Sequence, residues 1–276
     1  MSARPLFVKL GGSLITDKTR PKTIRVRVLR RLARELAAFR AAHPHVPVLV
    51  GHGSGSFGHW TARDHGWPRG RASRVPRRAL LAVAQAAQDL HHAVLEALRA
   101  AGLPAWSFPP SGSVLAREGR ILTWDTESLE YALREGWTPV VYGDVVLDVA
   151  LEGVILSTED LFAALVPRLR PERLLLAGLE PGVWRAWPSR EAVWARITPD
   201  TWRVARTQTG DAQGADVTGG MAGKVARMVD LVQRHPGLEV RIFSGQVPGA
   251  LRRALEGDAV GTLIVGGARD ARPKAT

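Results

Sequence analysis

The residues of this sequence that could do chemistry lie in three glycine-rich segments and one acidic segment. The first segment runs from Lys9 to Ser13, and Lys18 follows it five residues later. Glycines at the end of a strand let backbone N–H groups approach phosphate oxygens, and neighbouring lysines add positive charge. The segment therefore favours phosphate binding. A tight turn with a solvated Lys18 is the alternative interpretation.

The second segment, Gly51–His59, has four glycines in eight positions after an apolar run. Glycine in such numbers costs backbone entropy on folding, and close approach of a phosphate group would explain it. His59 could then donate to an anionic group of a substrate. His52 is more simply interpreted as a capping or surface residue.

The third segment, Asp216–Lys224, holds the pair Gly219-Gly220 and leads into a stretch of helical period. Free N–H groups at a helix N-terminus bind anions readily. The spacing differs from that of a Walker A loop, so a helix cap with an ordinary lysine is the alternative. The acidic segment, Ser157–Asp160, precedes another helical stretch. Asp160 would there either favour the helix dipole or hold lysines in place.

An alternation of strands and helices must position these segments. Short apolar, β-branched runs predict strands over residues 6–10, 46–50, 139–142, 154–156, 174–176, 240–243 and 263–265. Helical spacing of apolar residues predicts helices over residues 28–39, 77–101, 161–165 and 224–233. This alternation predicts an α/β fold with a mostly parallel sheet, whose ligands bind at the carboxyl ends of the strands. Residues 63–78 are interpreted as an exposed loop or lid, and residues 184–214 as hairpins and loops.

Composition excludes several classes of protein. The 276 residues include no cysteine, which excludes disulfides, thiolate metal sites and cysteine nucleophiles. No apolar run approaches the roughly 18 residues of a membrane span, and we expect a cytoplasmic protein without a membrane partner. The net charge of +12 suggests a polyanion as partner, but only five of the 38 basic residues are lysines. Three of those five lie in the motifs above, so we expect no specific nucleic-acid partner.

Together these motifs resemble the amino-acid kinase superfamily and, within it, the isopentenyl phosphate kinase family. The matching pieces follow the family order along nearly the whole chain, and they are residues 9–13 with Lys18, 53–59, 143–148, 160–161 and 216–224. The loop that ends in His59 discriminates best, because relatives that phosphorylate carboxylates lack this histidine. Fosfomycin kinases share the layout and are the nearest alternative.

The resemblance implies a three-layer αβα sandwich with a mostly parallel central sheet, and a homodimer. It implies ATP-dependent phosphorylation of isopentenyl phosphate with Mg²⁺, by in-line transfer without a general base. Residues 1–172 would bind the acceptor phosphate and residues 173–276 the nucleotide, on one continuous sheet. The alternatives are a kinase of this fold for fosfomycin or another small phosphate or phosphonate, and a non-catalytic nucleotide- or polyanion-binding protein.

The resemblance also implies roles for individual residues. Lys18 would stabilise the transferring phosphoryl group, Lys9 would act beside it, and Asp160 would organise the lysines. The acceptor would be bound by Gly53, Ser54, His59 and Ser157. ATP would be bound by Lys9, Gly11, Gly12, Ser13, Gly55, Gly219, Gly220 and Lys224. No residue is expected to ligate a metal ion.

Two segments depart from the family pattern. Thr158 and Glu159 stand in a segment that reads Ser-Gly-Asp-Asp in the family, and the larger Thr158 would narrow the acceptor site. Residues Leu179–Val183 replace a family segment with two acids near the nucleotide, which would alter the contacts to the nucleoside.

Overall fold

The computed structural model describes residues 3–67, 74–186, 189–208 and 220–267. Its strands are β1 (Leu6–Leu10), β2 (Val48–His52), β3 (Ala105–Ser107), β4 (Val114–Arg117), β5 (Arg120–Trp124), β6 (Thr138–Tyr142), β7 (Asp144–Asp148), β8 (Glu152–Leu156), β9 (Arg173–Gly178), β10 (Arg196–Ile197), β11 (Glu239–Ser244) and β12 (Thr262–Val265). Its α-helices are α1 (Gly12–Ile15), α2 (Val26–Ala42), α3 (Gly55–Asp64), α4 (Arg77–Ala100), α5 (Glu127–Arg134), α6 (Thr158–Leu169), α7 (Pro199–Gln208), α8 (Gly220–Arg234) and α9 (Ala250–Glu256).

Eight strands form the central sheet, in the order β10-β12-β11-β9-β1-β2-β6-β3. All neighbouring pairs are parallel except β11 and β12, which run antiparallel. The central strands are continuous apolar runs, because both faces of a parallel sheet are covered by helices. Helices α2, α4 and α9 pack on one face, and α6, α7 and α8 pack on the other. The predicted α/β sandwich with a mostly parallel sheet is confirmed.

The alternation of side chains along β1 decides where Lys9 points. Leu6, Val8 and Leu10 belong to the core beneath α2, α4 and α9, whereas Phe7 belongs to the core beneath α6 and α8. Successive residues of a strand face opposite sides of the sheet. Lys9 therefore shares the face of Phe7 and points toward α6 and α8.

A second sheet of four strands, in the order β5-β4-β7-β8, was not predicted. The strand predicted at residues 154–156 belongs to this second sheet and not to the central one. Its inner face packs on α4, where Val145 and Ile155 contact Ala79, Leu80 and Val83. The second sheet therefore borders one side of the region at the carboxyl ends of the central strands.

Two helices lie where loops were predicted. Helix α3 begins at Gly55, inside the glycine-rich second segment, and extends to Asp64. Helix α7 lies within the range predicted as hairpins and loops, and Thr198 caps it by accepting a hydrogen bond from the N–H of Thr201. In both cases packing outweighs a weak local signal. Among the described helices, none combines the length and apolar character needed to cross a bilayer.

Gly51 in the central strand β2 allows α6 to pack closely on the sheet. An added Cβ there would overlap the side chains of Thr158 and Phe162. We expect Gly51→Ala to lower the free energy of unfolding by about 1–3 kcal/mol, because overpacking displaces buried side chains. Urea denaturation measures this change.

The matched control is Gly112→Ala, because an added Cβ at Gly112 meets nothing within 4 Å. This control should shift the free energy of unfolding by less than about 0.5 kcal/mol. Equal stabilities of the two variants would contradict a packing role for Gly51.

Candidate active site

A cleft of about 460 Å³ opens at the carboxyl ends of the central strands. It is lined by nearly all predicted site residues that the structure describes, namely Lys9, Gly11, Gly12, Ser13, Lys18, Gly53, Ser54, Gly55, His59, Ser157, Gly220 and Lys224. Gly219 and the preceding part of the third segment lie outside the described residues. The structure thus brings together segments that are far apart in sequence, as expected at the edge of a parallel sheet.

The first two glycine-rich segments pack directly against each other. A Cβ on Gly12 would overlap the backbone of Gly55, and a Cβ on Gly53 would lie 3.0 Å from the Gly12 nitrogen. Gly55 has a positive φ of 53° and faces the Thr16 side chain. Close approach of the two loops therefore explains part of the glycine content that the sequence suggested for phosphate alone.

The loops also leave backbone donors available in the cleft. Within the described part of the chain, the N–H groups of Ser54 and Gly55 donate to no protein acceptor. Both residues line the cleft. Unpaired N–H groups at the start of α3 suit the oxygens of an anionic ligand.

Two lysines converge on one carboxylate at the start of α6. Lys9 Nζ forms an ion pair and hydrogen bond with Glu159 Oε2, and Lys224 Nζ lies 3.9 Å from Glu159 Oε1. The Glu159 side chain is only 5% exposed. Burial opposes its ionisation, but the charges of Lys9 and Lys224 outweigh burial and lower the pKa of Glu159 to about 2. Burial lowers the pKa of Lys9, and the Glu159 carboxylate opposes that shift.

Asp160, which was predicted to organise the lysines, has other described partners. Its carboxylate accepts from the N–H and hydroxyl of Ser157, at 2.9 and 2.6 Å, in a capping box at the start of α6. It also pairs with Arg227 of α8 at 3.1 Å. Sequence reasoning missed Glu159 as the partner of Lys9. The spacing Ser-x-x-Asp of a capping box was the available signal, because it assigns Asp160 to the helix cap.

Lys18 and His59 lie on neighbouring elements at the cleft. Lys18 is exposed, and its backbone carbonyl accepts a hydrogen bond from the indole of Trp60 at 3.1 Å. His59 precedes Trp60 on α3 and is half-buried. The contact between Trp60 and Lys18 therefore holds the loop of Lys18 against α3, the helix that carries His59.

The wall near His59 is apolar. Ala62 and Trp67 line the cleft from the region of α3, and Val154 and Ile155 line it from β8. Ala62, Trp67 and Ile155 belong to a small apolar cluster with α4. The cleft thus combines a polar, cationic floor with an apolar wall of modest size.

His52 is not the capping or surface residue that the sequence suggested. Its side chain is fully buried behind the second glycine-rich segment. It forms a hydrogen bond with His91 of α4. Sequence analysis had no signal for this pair, because the two residues lie on different elements.

Glu159 makes stability depend on pH in the acid range. Its pKa is lowered from 4.5 to about 2 in the folded state. A carboxyl with a lowered folded pKa stabilises the fold above its unfolded pKa, and this contribution is lost as pH falls toward the folded pKa. We expect about 3 kcal/mol to be lost in this way between roughly pH 4.5 and 2.

Glu159→Gln removes this contribution, so the stability of the variant should fall less steeply over the same pH range. Urea denaturation at a series of pH values compares the two proteins. Asp200→Asn is the control, because the Asp200 side chain is 80% exposed. Parallel pH profiles for wild type and Glu159→Gln would contradict the ion pair.

Comparison with known proteins places the chain in a family. The model of the amino acid kinase family matches residues 4–244. An isopentenyl phosphate kinase of Methanothermobacter thermautotrophicus is 36% identical over 271 residues, which cover 95% of this chain and 99% of that protein. One of Haloferax volcanii is 32% identical over 261 residues, with coverage of 95% and 98%. A solved structure of an isopentenyl phosphate kinase has a TM-score of 0.77 at 31% identity, covering 94% of this chain and 99% of that one. The chain therefore belongs to the amino acid kinase family.

Proposed function

We propose that this protein is a small-molecule kinase that transfers the γ-phosphoryl group of ATP to isopentenyl phosphate, giving isopentenyl diphosphate and ADP. The observation that carries the proposal is the two-part cleft, in which lysines and open backbone N–H groups meet an apolar wall beside His59. A short branched hydrocarbon on a phosphate has both features. The relatives of similar length that are named isopentenyl phosphate kinases support the same acceptor.

The chemistry requires charge neutralisation more than proton transfer. A phosphate monoester is largely dianionic at neutral pH and is already a nucleophile. Bringing it to the γ-phosphate costs roughly 3 kcal/mol per pair of unit charges, at about 5 Å and an effective dielectric constant of about 20. Lys9, Lys18, Lys224 and the N–H groups of the glycine-rich segments offset this repulsion. They also align the acceptor phosphate with the γ-phosphoryl group for in-line transfer. No side chain has to act as a general base.

We assign the two parts of the chain to the two substrates. Residues 1–172 supply Gly53, Ser54, His59 and Ser157 for the acceptor. Residues 173–276 supply Gly220, Lys224 and the segment after β9 for ATP. The central sheet runs through both parts, because β9 pairs with β1 in register. Lys9, Gly11, Gly12, Ser13 and Gly55 would contact the transferred phosphates between them.

Mg²⁺ would reach the site with the nucleotide. Among the described residues, no group of three histidine or acidic side chains could hold a metal ion. The described residues therefore offer no metal cage of their own. Mg²⁺ bound to ATP takes most of its ligands from phosphate oxygens and water. The cytoplasmic location stays a prediction from the sequence.

The test of the function is release of ADP from MgATP in the presence of isopentenyl phosphate, with fosfomycin and other small phosphates in parallel. The proposal requires the highest kcat/KM for isopentenyl phosphate. Turnover of fosfomycin alone would keep the fold and reassign the acceptor. ATP binding without turnover of any acceptor would favour a non-catalytic nucleotide-binding protein.

His59 and Lys18 should affect different kinetic constants. We expect His59→Ala to raise the KM for the acceptor about 10- to 100-fold, because it removes a hydrogen bond to a charged group. We expect Lys18→Ala to lower kcat about 100- to 1000-fold, because the ammonium group acts on charge that develops in transfer. Steady-state kinetics with both substrates varied measures the two effects.

Each variant serves as the control for the other, because both sit at the same cleft. An unchanged acceptor KM in His59→Ala would remove His59 from the acceptor site. An unchanged kcat in Lys18→Ala would remove Lys18 from the transfer step.

We further infer a homodimer that forms through the open edge of the central sheet at β3. Trp106 and Trp137 form an edge-to-face pair there and remain 52% and 40% exposed. An edge strand beside exposed aromatic rings is suited to pairing with a second copy of the chain.

Sedimentation velocity should therefore detect a dimer that Trp106→Lys weakens. Val204→Lys is the matched control. Val204 is an exposed apolar residue on α7, which contacts β10 at the opposite edge of the sheet. A monomeric wild type, or equal effects of both substitutions, would contradict dimerisation at β3.

A further inference from the structure

A chain of buried hydrogen bonds lies directly behind the acceptor side of the cleft. His52 Nδ1 lies 3.2 Å from the carbonyl oxygen of Gly53, and His52 Nε2 lies 3.0 Å from His91 Nδ1. His91 Nε2 lies 2.7 Å from the hydroxyl of Ser107 on β3. His52 and His91 are buried. None of these side chains has a role in the transfer proposed above.

The direction of every hydrogen bond in this chain follows from its last acceptor. The carbonyl of Gly53 can only accept, so His52 Nδ1 carries the proton and His52 Nε2 is an acceptor. His91 Nδ1 must then donate to His52, which leaves His91 Nε2 to accept from the hydroxyl of Ser107. All four ring nitrogens are satisfied with both rings neutral.

The surroundings of the two rings support the neutral forms. Burial lowers the pKa of His52 to about 4, and burial together with the repulsion between two protonated rings lowers the pKa of His91 to about 2. The ring of Tyr142 stacks on both imidazoles, with centroids 4.1 Å from His91 and 5.4 Å from His52. Buried polar rings are stable only when their hydrogen bonds are complete, so this chain has one favourable arrangement.

The hydrogen bonds of the two histidines fix the orientation of the Gly53–Ser54 peptide bond in the second glycine-rich segment. In a trans peptide the C=O and N–H groups point to opposite sides. A Gly53 carbonyl held toward the His52 ring therefore turns the N–H of Ser54 away from that ring, and Ser54 lines the cleft. The carbonyl of His52 itself accepts from the N–H of Gly143 at 2.9 Å and from Thr158 Oγ1 at 2.7 Å. The backbone on the N-terminal side of this peptide is thus fixed by neighbouring elements.

We propose that His52 and His91 are positioning residues that hold the Gly53–Ser54 peptide with its N–H directed at the phosphate of the acceptor. This inference rests on the proposed function, because it assumes that the acceptor phosphate occupies the cleft beside Ser54. Glycine at position 53 leaves the peptide free to rotate, and the histidine chain removes that freedom before the ligand binds. The hydrogen bonds of His52 and His91 therefore affect binding of the acceptor and not binding of the nucleotide.

The test uses two nearly isosteric substitutions of His91. His91→Leu removes the donor to His52, so His52 Nε2 is left as a buried acceptor without a partner and the ring is no longer held in the position from which it fixes Gly53. His91→Asn keeps an amide donor near the position of Nδ1. Calorimetric titration with isopentenyl phosphate and, separately, with ATP measures the affinity of each variant.

We expect His91→Leu to weaken binding of isopentenyl phosphate about fivefold to tenfold, with ATP binding changed less than about twofold. His91→Asn should recover most of the loss. Tyr142→Phe is the control for a small change next to the two rings. It keeps the stacked ring and the histidine hydrogen bonds, and it should bind both ligands as wild type does. Ser107→Ala, at the half-buried end of the chain, repeats the test in a variant with little packing to lose.

Nitrogen chemical shifts of the imidazoles give a readout that does not depend on any substrate. The proposal requires protons on Nδ1 of His52 and on Nδ1 of His91 in the wild type. A wild-type proton on Nε2 would overturn the proposal. Equal losses of ATP and isopentenyl phosphate binding in His91→Leu, or equal behaviour of the Leu and Asn variants, would overturn it as well.

Failure of the proposed function has a different signature. Wild-type protein that binds isopentenyl phosphate without turning it over would refute the kinase activity and leave the positioning role intact. Wild-type protein that does not bind isopentenyl phosphate would overturn both proposals.

Discussion

Lys9 lies on the central strand β1, and its side chain places an ammonium group in a region with little access to water. A buried charge of this kind needs a counter-charge close by. Glu159 supplies it from the first turn of α6, and Lys224 approaches the same carboxylate from α8. The helix can come this close because Gly51 has no side chain beneath Thr158 and Phe162. The ion pair therefore links the close packing of α6 on the sheet to the distribution of charge in the cleft.

The polar and the apolar parts of the cleft suit different parts of the acceptor. The backbone N–H groups and lysines suit phosphate oxygens, whereas Ala62, Trp67, Val154 and Ile155 suit a short hydrocarbon. A dianionic acceptor needs neutralisation and alignment, and a site without a general base is sufficient for that task. The glycines serve two purposes in this arrangement, since Gly12 and Gly55 let the loops pack together and the N–H of Gly55 stays available in the cleft.

Buried polar groups support this surface from behind. His52 and His91 occupy positions where apolar residues would pack without any requirement for hydrogen bonds. Two neutral imidazoles, linked to Ser107 and to the carbonyl of Gly53, allow one pattern of donors and acceptors. Polar networks of this type specify one local conformation, because any other conformation leaves buried nitrogens unpaired. A loop rich in glycine gains most from such a constraint, since its own backbone restricts it least.

The sequence by itself determined the fold class, the central strands β1, β2, β6, β9 and β11, and the glycine-rich segments of the cleft. Strands buried on both faces are uninterrupted apolar runs, and long helices such as α4 have a clear period, so both are visible locally. The second sheet was invisible because β4 and β5 are short and bury few side chains, two of four residues in β4 and none of five in β5, so they gain stability only from their neighbours. Helix α3 was invisible because its glycines disfavour a helix that tertiary packing then stabilises.

Only the tertiary structure decided which residues of the motifs meet. Glu159 and Asp160 are adjacent acids, but successive residues point about 100° apart around a helix. Rotation of α6 on the sheet turns Glu159 to Lys9, and Asp160 to the helix cap and Arg227. The partnership of His52 with His91 likewise depends on how α4 crosses the sheet. Composition and spacing record what a segment can do, whereas partners far apart in sequence are chosen by packing in three dimensions.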